Sequence, residues 1–231
     1  MPGNPTAIGA TSSFGAKEKI FYNAVNIAAQ SNYRELVGLK RRFGSWEGAW
    51  RAFFKDVGGA PDPETAWQEL KRLGLRLVLY EDQDYPPLLK EIPWPPFGIY
   101  VLGGLVKVDN SLAIVGTRKA TENGKATAKY FAEELGRAGF EIVSGLAFGI
   151  DAAALEGALN AEGRTIAVLG NGLDRFYPRS NEKLARKIIE HGGIIFSEYP
   201  PGAVSLPHHF LERNRIISGL SKGVLVIEAP K

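Results

Sequence analysis

The sequence contains no cysteine. That excludes a disulfide scaffold, a cysteine nucleophile and zinc sites built on thiolates. Three histidines leave little material for a histidine-rich metal site, and no metal is expected. No apolar run approaches the roughly 18 residues of a membrane span. No basic stretch followed by an apolar one marks a secretory signal, so the expected location is the cytoplasm, away from any membrane. Common catalytic signatures are missing as well: there is no G-x-S-x-G, no Walker A sequence and no His-Glu-x-x-His. Charge of one sign is also scarce. The net charge is only +3, and residues 1–80 carry 11 Lys+Arg against 7 Asp+Glu, the remainder 17 against 18. An anion site in the second part must therefore come from local placement of a few groups, not from a basic field.

What is present is an ordinary globular composition, 45% hydrophobic and 23% charged over 231 residues, enough for a real core. Residues 1–15 are small, polar and rich in Gly and Pro, and read as a disordered arm. Residues 16–76 read as a small helical domain. Its helices are signalled by Ile20, Phe21, Ala24 and Val25, by Tyr33–Phe43, by Trp46, Trp50, Phe53 and Phe54 behind a Ser45 cap, and by Ala66–Leu73. Within it, Leu36–Ser45 loosely resembles a helix-hairpin-helix, with Lys40, Arg41 and Arg42 beside Gly38 and Gly44. The plainer reading is a solvated basic helix end. A proline-dense connector follows over 77–103, with short strands at Leu77–Tyr80 and Ile99–Leu102.

From Ser111 the pattern becomes strand–loop–helix. Apolar strands are read at Ser111–Val115, Phe140–Val143, Thr165–Leu169, Gly193–Phe196 and Gly223–Ile227. Helices are read at Asn123–Gly139, Ile150–Asn160 and Asn181–His191, with Arg213–Gly219 in a fourth. Alternation of this kind means an open parallel sheet with helices on both faces, an α/β fold. In such sheets ligands sit beyond the carboxyl ends of the strands, where strand order reverses. The expected rim is therefore Gly116-Thr117-Arg118, Ser144-Gly145, Gly170-Asn171-Gly172 and the loop from Ser197 to Gly202. Glycines admit an anion to the backbone, helix N-termini supply unsatisfied N–H groups, and Arg118 adds a cation able to grip a phosphate. Turn geometry alone accounts for such glycines equally simply. Asp151, Asp174 and Glu198 are acids or bases on the same loops, with N-terminal capping the plainer role for Asp151.

A dinucleotide site is excluded. The first turn reads Gly116-Thr117-Arg118-Lys119-Ala120, and Gly170-Asn171-Gly172 lacks a third glycine because Arg175 stands there. No cofactor is expected. The segment from Pro207 to Arg215 holds His209, Phe210, Arg213, Asn214 and Arg215. An aromatic beside arginines and an amide suits single-stranded nucleic acid, whose bases stack on rings while Arg holds phosphates. The alternative is a buried Phe with salt-bridged arginines. His208 and His209 read as a Pro-flanked loop whose rings point opposite ways.

Taken together, these loops resemble the DNA processing protein A family (DprA, also called Smf). The resemblance runs from about Leu75 to Glu228. It rests on Asp84-Tyr85-Pro86-Pro87-Leu88-Leu89, Gly116-Thr117-Arg118, the run from Ser144 to Asp151, the run from Ala167 to Asp174, Tyr177-Pro178, the run from Ser197 to Gly202 and the run from Arg213 to Ser221. It implies a Rossmann-like domain over 77–231 and a sterile-alpha-motif-like helical domain before it. It further implies a non-enzymatic single-stranded-DNA-binding protein that helps load the RecA recombinase during natural transformation. DNA would lie on the strand-end rim, with Arg118 and Phe210 matching the family's arginine and aromatic. Two positions depart from the pattern. Pro207 stands where some members place a lysine, and Leu155 stands where a histidine is frequent. Members continue beyond the strand matching Val224–Ile227, and much of the surface for self-association and for RecA lies there. The chain is read as C-terminally incomplete, with a homodimer and RecA as partners implied by the resemblance. The rival from another class is a nucleotide N-glycosidase of the phosphoribohydrolase type. Its Pro-Gly-Gly-x-Gly-Thr sequence is absent, since Pro200-Pro201-Gly202 is followed by Ala203-Val204.

Overall fold

The computed structural model describes residues 13–56 and 59–229. Residues 1–12 of the expected arm lie outside the described residues. Two compact units make up the chain, Met1–Glu69 and Leu70–Lys231.

In the first unit, α1 spans Ser13–Ala28, α2 Tyr33–Phe43 and α3 Trp46–Ala49, which runs on as a π-helical turn over Trp50–Phe54. A fourth helix, α4, covers Pro63–Arg72 and so continues past Glu69, where the first unit ends. Local chemistry sets the ends. Asn32 caps α2 through the Glu35 amide, Gly44 ends it at φ 69°, and Ser45 caps α3 through the Gly48 amide. The core closes around Trp46 and Tyr22, both fully buried, whose rings meet edge to face at 5.0 Å.

The second unit is a seven-stranded sheet. Its strands are β1 Arg76–Leu79, β2 Gly98–Gly103, β3 Ser111–Gly116, β4 Glu141–Ser144, β5 Thr165–Leu169, β6 Ile194–Ser197 and β7 Val224–Ile227. Its helices are α5 Pro87–Lys90, α6 Glu122–Arg137, α7 Ile150–Asn160, α8 Glu182–Glu190 and α9 Pro207–Gly219. The strand order is β1-β2-β6-β5-β4-β3-β7. The parallel sheet expected from Ser111 onward is formed by β3 to β7. The connector extends it with two antiparallel strands, Tyr100 pairing with Ser197 and Leu77 with Tyr100. The sheet is thus mixed and mostly parallel.

Side chains alternate between two cores, as strand geometry requires. Ala113, Val143, Ile166 and Val168 face one cluster with Ile216, Ile217 and Leu220 of α9. Ile114 and Ile142 face the other, with Ala128 and Ala132 of α6 and Ala154 and Ala158 of α7. Small residues let α6 and α7 come close. A Cβ on Gly157 would strike the Lys129 backbone. Among the described residues no helix is long and apolar enough to cross a membrane.

Candidate nucleic-acid interface

Strand order reverses at β3. The chain steps from β3 to β4, β5 and β6 in one direction, then returns through α9 to place β7 on the other side. A cavity of about 520 Å³ opens at that point, the place where open parallel sheets bind ligands. Its lining includes Gly116, Arg118, Asp151, Phe210, Arg213, Asn214 and Arg215.

At the surface, the exposed Arg118 sets its guanidinium 5.0 Å from the centre of the Phe210 ring. The Tyr177 ring lies 5.4 Å from Phe210 on a second contact, tilted by 45°. Phe210 is half-buried and Tyr177 is 45% exposed, so neither ring belongs wholly to the core. Asn214 is also exposed.

Beneath them lie two buried groups of opposite charge. Asp151 and Arg213 are 5% and 3% exposed. Arg213 donates through Nη1 to the Gly145 carbonyl at 2.8 Å and to the Val168 carbonyl. The Asp151 carboxylate accepts from the amides of Ala147, Gly145 and Gly116, the Gly145 bond measuring 3.1 Å. Burial pushes the Asp151 carboxyl up, and Arg213 with these amides restrains the shift. Burial lowers Arg213 to about 10, against the pull of Asp151 and aided by Arg118.

This arrangement explains the glycines differently from the sequence reading. A side chain at Gly145 would collide with the Arg213 guanidinium and with Asp151 Oδ2, and one at Gly116 would collide with the Ile227 carbonyl and Ile150. The amides expected to receive phosphate already hold a carboxylate. The α6 N-terminus is filled in the same way. Glu228, at the end of β7, accepts from the Thr121 amide at 3.0 Å and from its hydroxyl at 3.0 Å. The helix termini of β3 and β4 are therefore not open phosphate sites, because acidic side chains of the chain itself occupy them.

Several residues expected on the rim are spent on the fold. Ser144 is buried and donates to the Ile114 carbonyl at 2.6 Å. Gly170 and Gly172 are buried, and Asn171 donates to the carbonyls of Gly172 and Arg175 at 2.9 and 2.8 Å. The expected loop at His208 and His209 is the first turn of α9, which Pro207 opens. His209 points inward, stacked on Tyr199 at 4.0 Å, with Nδ1 3.2 Å from the Val204 carbonyl oxygen. Burial lowers its pKa, and neighbouring His208 adds to the effect. Arg215 grips Glu198 at 2.7 and 2.5 Å, while burial pushes the Glu198 carboxyl up against that attraction. Thr117 is half-buried, its amide bonded to the Glu228 carbonyl at 2.9 Å. What remains facing outward is Arg118, Phe210 and Asn214. Sequence reasoning had not assigned Tyr177, or the apolar cavity wall of Val115, Leu211, Ile217 and Val224. Tyr177-Pro178 was a visible motif, but its proximity to Phe210 depends on the fold.

The hairpin of the first unit behaves like the rim's interior. The Glu18 carboxylate, 8% exposed with its residue, accepts from the amides of Trp46 at 2.9 Å and Glu47 at 3.3 Å. The N–H groups that a helix-hairpin-helix would offer to a phosphate are thus engaged. Lys40, Arg41 and Arg42 form the last turn of α2, where cations favour the helix dipole.

A sequence model of the family described as DNA recombination-mediator protein A matches residues 76–231. The Protein Smf of Synechocystis is 48% identical over 155 residues, covering 65% of this chain and 39% of that protein. The DNA processing protein DprA of Bacillus subtilis is 40% identical, covering 67% of this chain and 52% of its own length. The chain therefore spans about half the length, or less, of these relatives. Among solved structures, DNA processing protein A from Streptococcus pneumoniae superposes with a TM-score of 0.63 at 36% identity, over 75% of this chain and 65% of that one. The same protein from Helicobacter pylori, whose structure is described for its single-stranded DNA binding mode, gives 0.60 at 33%, over 67% and 70%.

Proposed function

The chain belongs to the DNA recombination-mediator protein A family, and from that premise we propose that it binds single-stranded DNA at the rim where strand order reverses. The observation that carries this reading is the Arg118–Phe210–Tyr177 group at the mouth of the cavity. An unpaired strand offers the faces of its bases, and a duplex does not. Rings beside a cation hold bases and phosphates together with little sequence choice. With the backbone amides engaged internally, phosphates are held by side chains, Arg118 first among them.

No chemical step is assigned to the site. Glu198 is buried in an ion pair with Arg215 and Asp151 is buried among backbone amides near Arg213, and this supports a binding role over acid–base work. Incubation with AMP and CMP should release no free base. Transfer of the strand to the RecA recombinase, self-association and cytoplasmic location are proposed for the whole protein. Their test is RecA filament assembly with and without it.

The binding reading is tested by fluorescence anisotropy with single-stranded and duplex oligonucleotides of equal length. Single strands are expected to bind more tightly. Affinity should fall with salt by roughly 0.7 log unit per log unit for each phosphate neutralised. Equal affinity for duplex would overturn the proposal.

A further inference from the structure

The rim uses none of the arginines of the first unit. There α2 turns Leu36 and Leu39 into the core and points Lys40 back at the Glu18 carboxylate, 3.7 Å away. Helical spacing sets what faces the other way. Arg34, Gly38 and Arg41 stand four and three residues apart on one face, with Arg42 beside them, and all four are exposed. Among the described residues no carboxylate pairs with Arg34, Arg41 or Arg42. The one acid of the helix, Glu35, is in its first turn, where it suits the helix dipole. Seven residues of helix set Arg34 and Arg41 about 10 Å apart along the axis.

Gly38 is the unexplained member. It sits in a helix interior, where glycine is a poorer choice than alanine. Nothing in the chain requires its small size, because a Cβ there would meet no atom within 4 Å. A missing side chain between two unpaired arginines is space in which an outside backbone can approach the helix closely.

We propose that this face of α2 is a second nucleic-acid contact, which holds the phosphate backbone of duplex DNA. Guanidinium groups grip phosphate bidentately, and the face is cationic where that backbone is anionic. The four residues include no aromatic, so they offer an unpaired base nothing to stack on and respond to charge alone. A duplex presents one charge per about 1.7 Å of its axis, and a ring-free cationic face gains most from that density. The contact is made by side chains, since the hairpin amides beside it are engaged by Glu18. It is weaker than the hold on a single strand at the rim, and it stands independently of the rim reading.

Anisotropy titrations of the full chain with a blunt duplex oligonucleotide test this. Arg34→Ala and Arg41→Ala together should weaken duplex binding about tenfold or more and lower its salt slope by about 1.8, two phosphates at about 0.9 each. Gly38→Gln adds bulk without removing charge. It should raise the melting temperature, since glutamine is the better helix former, and still weaken duplex binding severalfold. Unchanged duplex affinity in either variant would overturn the proposal. Single-strand affinity should hold in both, so this proposal and the rim reading fail separately. A labelled poly-L-glutamate probe should bind more weakly than the duplex. Tighter binding of that probe, lost in the Arg34/Arg41 variant, would give the face to an acidic protein and overturn the assignment to DNA.

Discussion

The α2–α3 hairpin and the β3–β4 rim pose the same electrostatic problem and solve it alike. Each gathers backbone N–H groups at the start of a helix or turn, and each closes them with a carboxylate from its own unit, Glu18 in one and Asp151 in the other. They part in what stands beside the carboxylate. The hairpin packs Trp46 against Tyr22 there, both rings being fully buried. The rim leaves a cavity, an exposed arginine and two partly exposed rings. Converging amides are therefore no guide to anion binding in this chain. Open side chains around a void are.

The strongest way to break the comparison is at its buried centre. Arg213→Ala removes the cation near buried Asp151 and the hydrogen bonds to the Gly145 and Val168 carbonyls. It should lower the unfolding free energy by about 3–5 kcal/mol in a denaturant titration. A loss below about 1 kcal/mol would mean that the pair is not the keystone of the rim. Next come the exposed groups. Arg118→Ala should weaken single-strand binding by about 1.5–3 kcal/mol and flatten its salt dependence, whereas Arg42→Ala should do neither. Equal effects would transfer the DNA to the helical unit. Phe210→Ala belongs with Arg118, costing about 1–3 kcal/mol of affinity at an unchanged salt slope. Thermal melts run alongside separate lost stacking from lost packing.

Smaller effects sharpen the contrast. Glu18→Ala uncovers the Trp46 and Glu47 amides. It should cost about 0.5–2 kcal/mol of stability, as loss of a helix cap does, with DNA affinity unchanged. The smallest change concerns pH. Burial holds the His209 pKa below its ordinary value of about 6.5, so the unfolded chain takes up the proton first. Stability should then fall as pH drops from about 6.5 through the lower folded value. His209→Phe keeps a ring against Tyr199 and should make that decline shallower. An identical slope in both proteins would place the titration elsewhere.

The parallel strands and the rim were legible because strand alternation and glycine-ended runs are local signals. Convergence of Arg118 and Phe210 on one edge followed from the rule for open sheets. The antiparallel attachment of β2 to β6 was not legible, since Val101 finds Phe196 only through the finished sheet. Nor was the start of α9. Proline suits a first helical turn as well as it suits a loop, so Pro207 hid the helix that turns His209 inward. The internal carboxylates were the least visible. Glu228 reaches Thr121 from across the domain, and Asp151 curls back onto a loop it also follows in sequence. Each glycine near them reads as a ligand cradle until its occupant is located.

The strand order carries a kinetic meaning. From β3 to β6 each parallel strand is laid beside its predecessor, so those contacts close short stretches of chain. The outer pairings wait much longer. Ala113 meets Val224, and Val101 meets Phe196, only after most of the domain has been made. Long closures form late, and edge elements open with the least free energy. Amide exchange should therefore be slowest in β4 and β5 and fastest in β7, where Val224 and Val226 are 48% and 58% exposed. Because Val224 of β7 lines the cavity, a brief release of that edge would widen its mouth, linking the shape of the rim to the last part of the sheet to form.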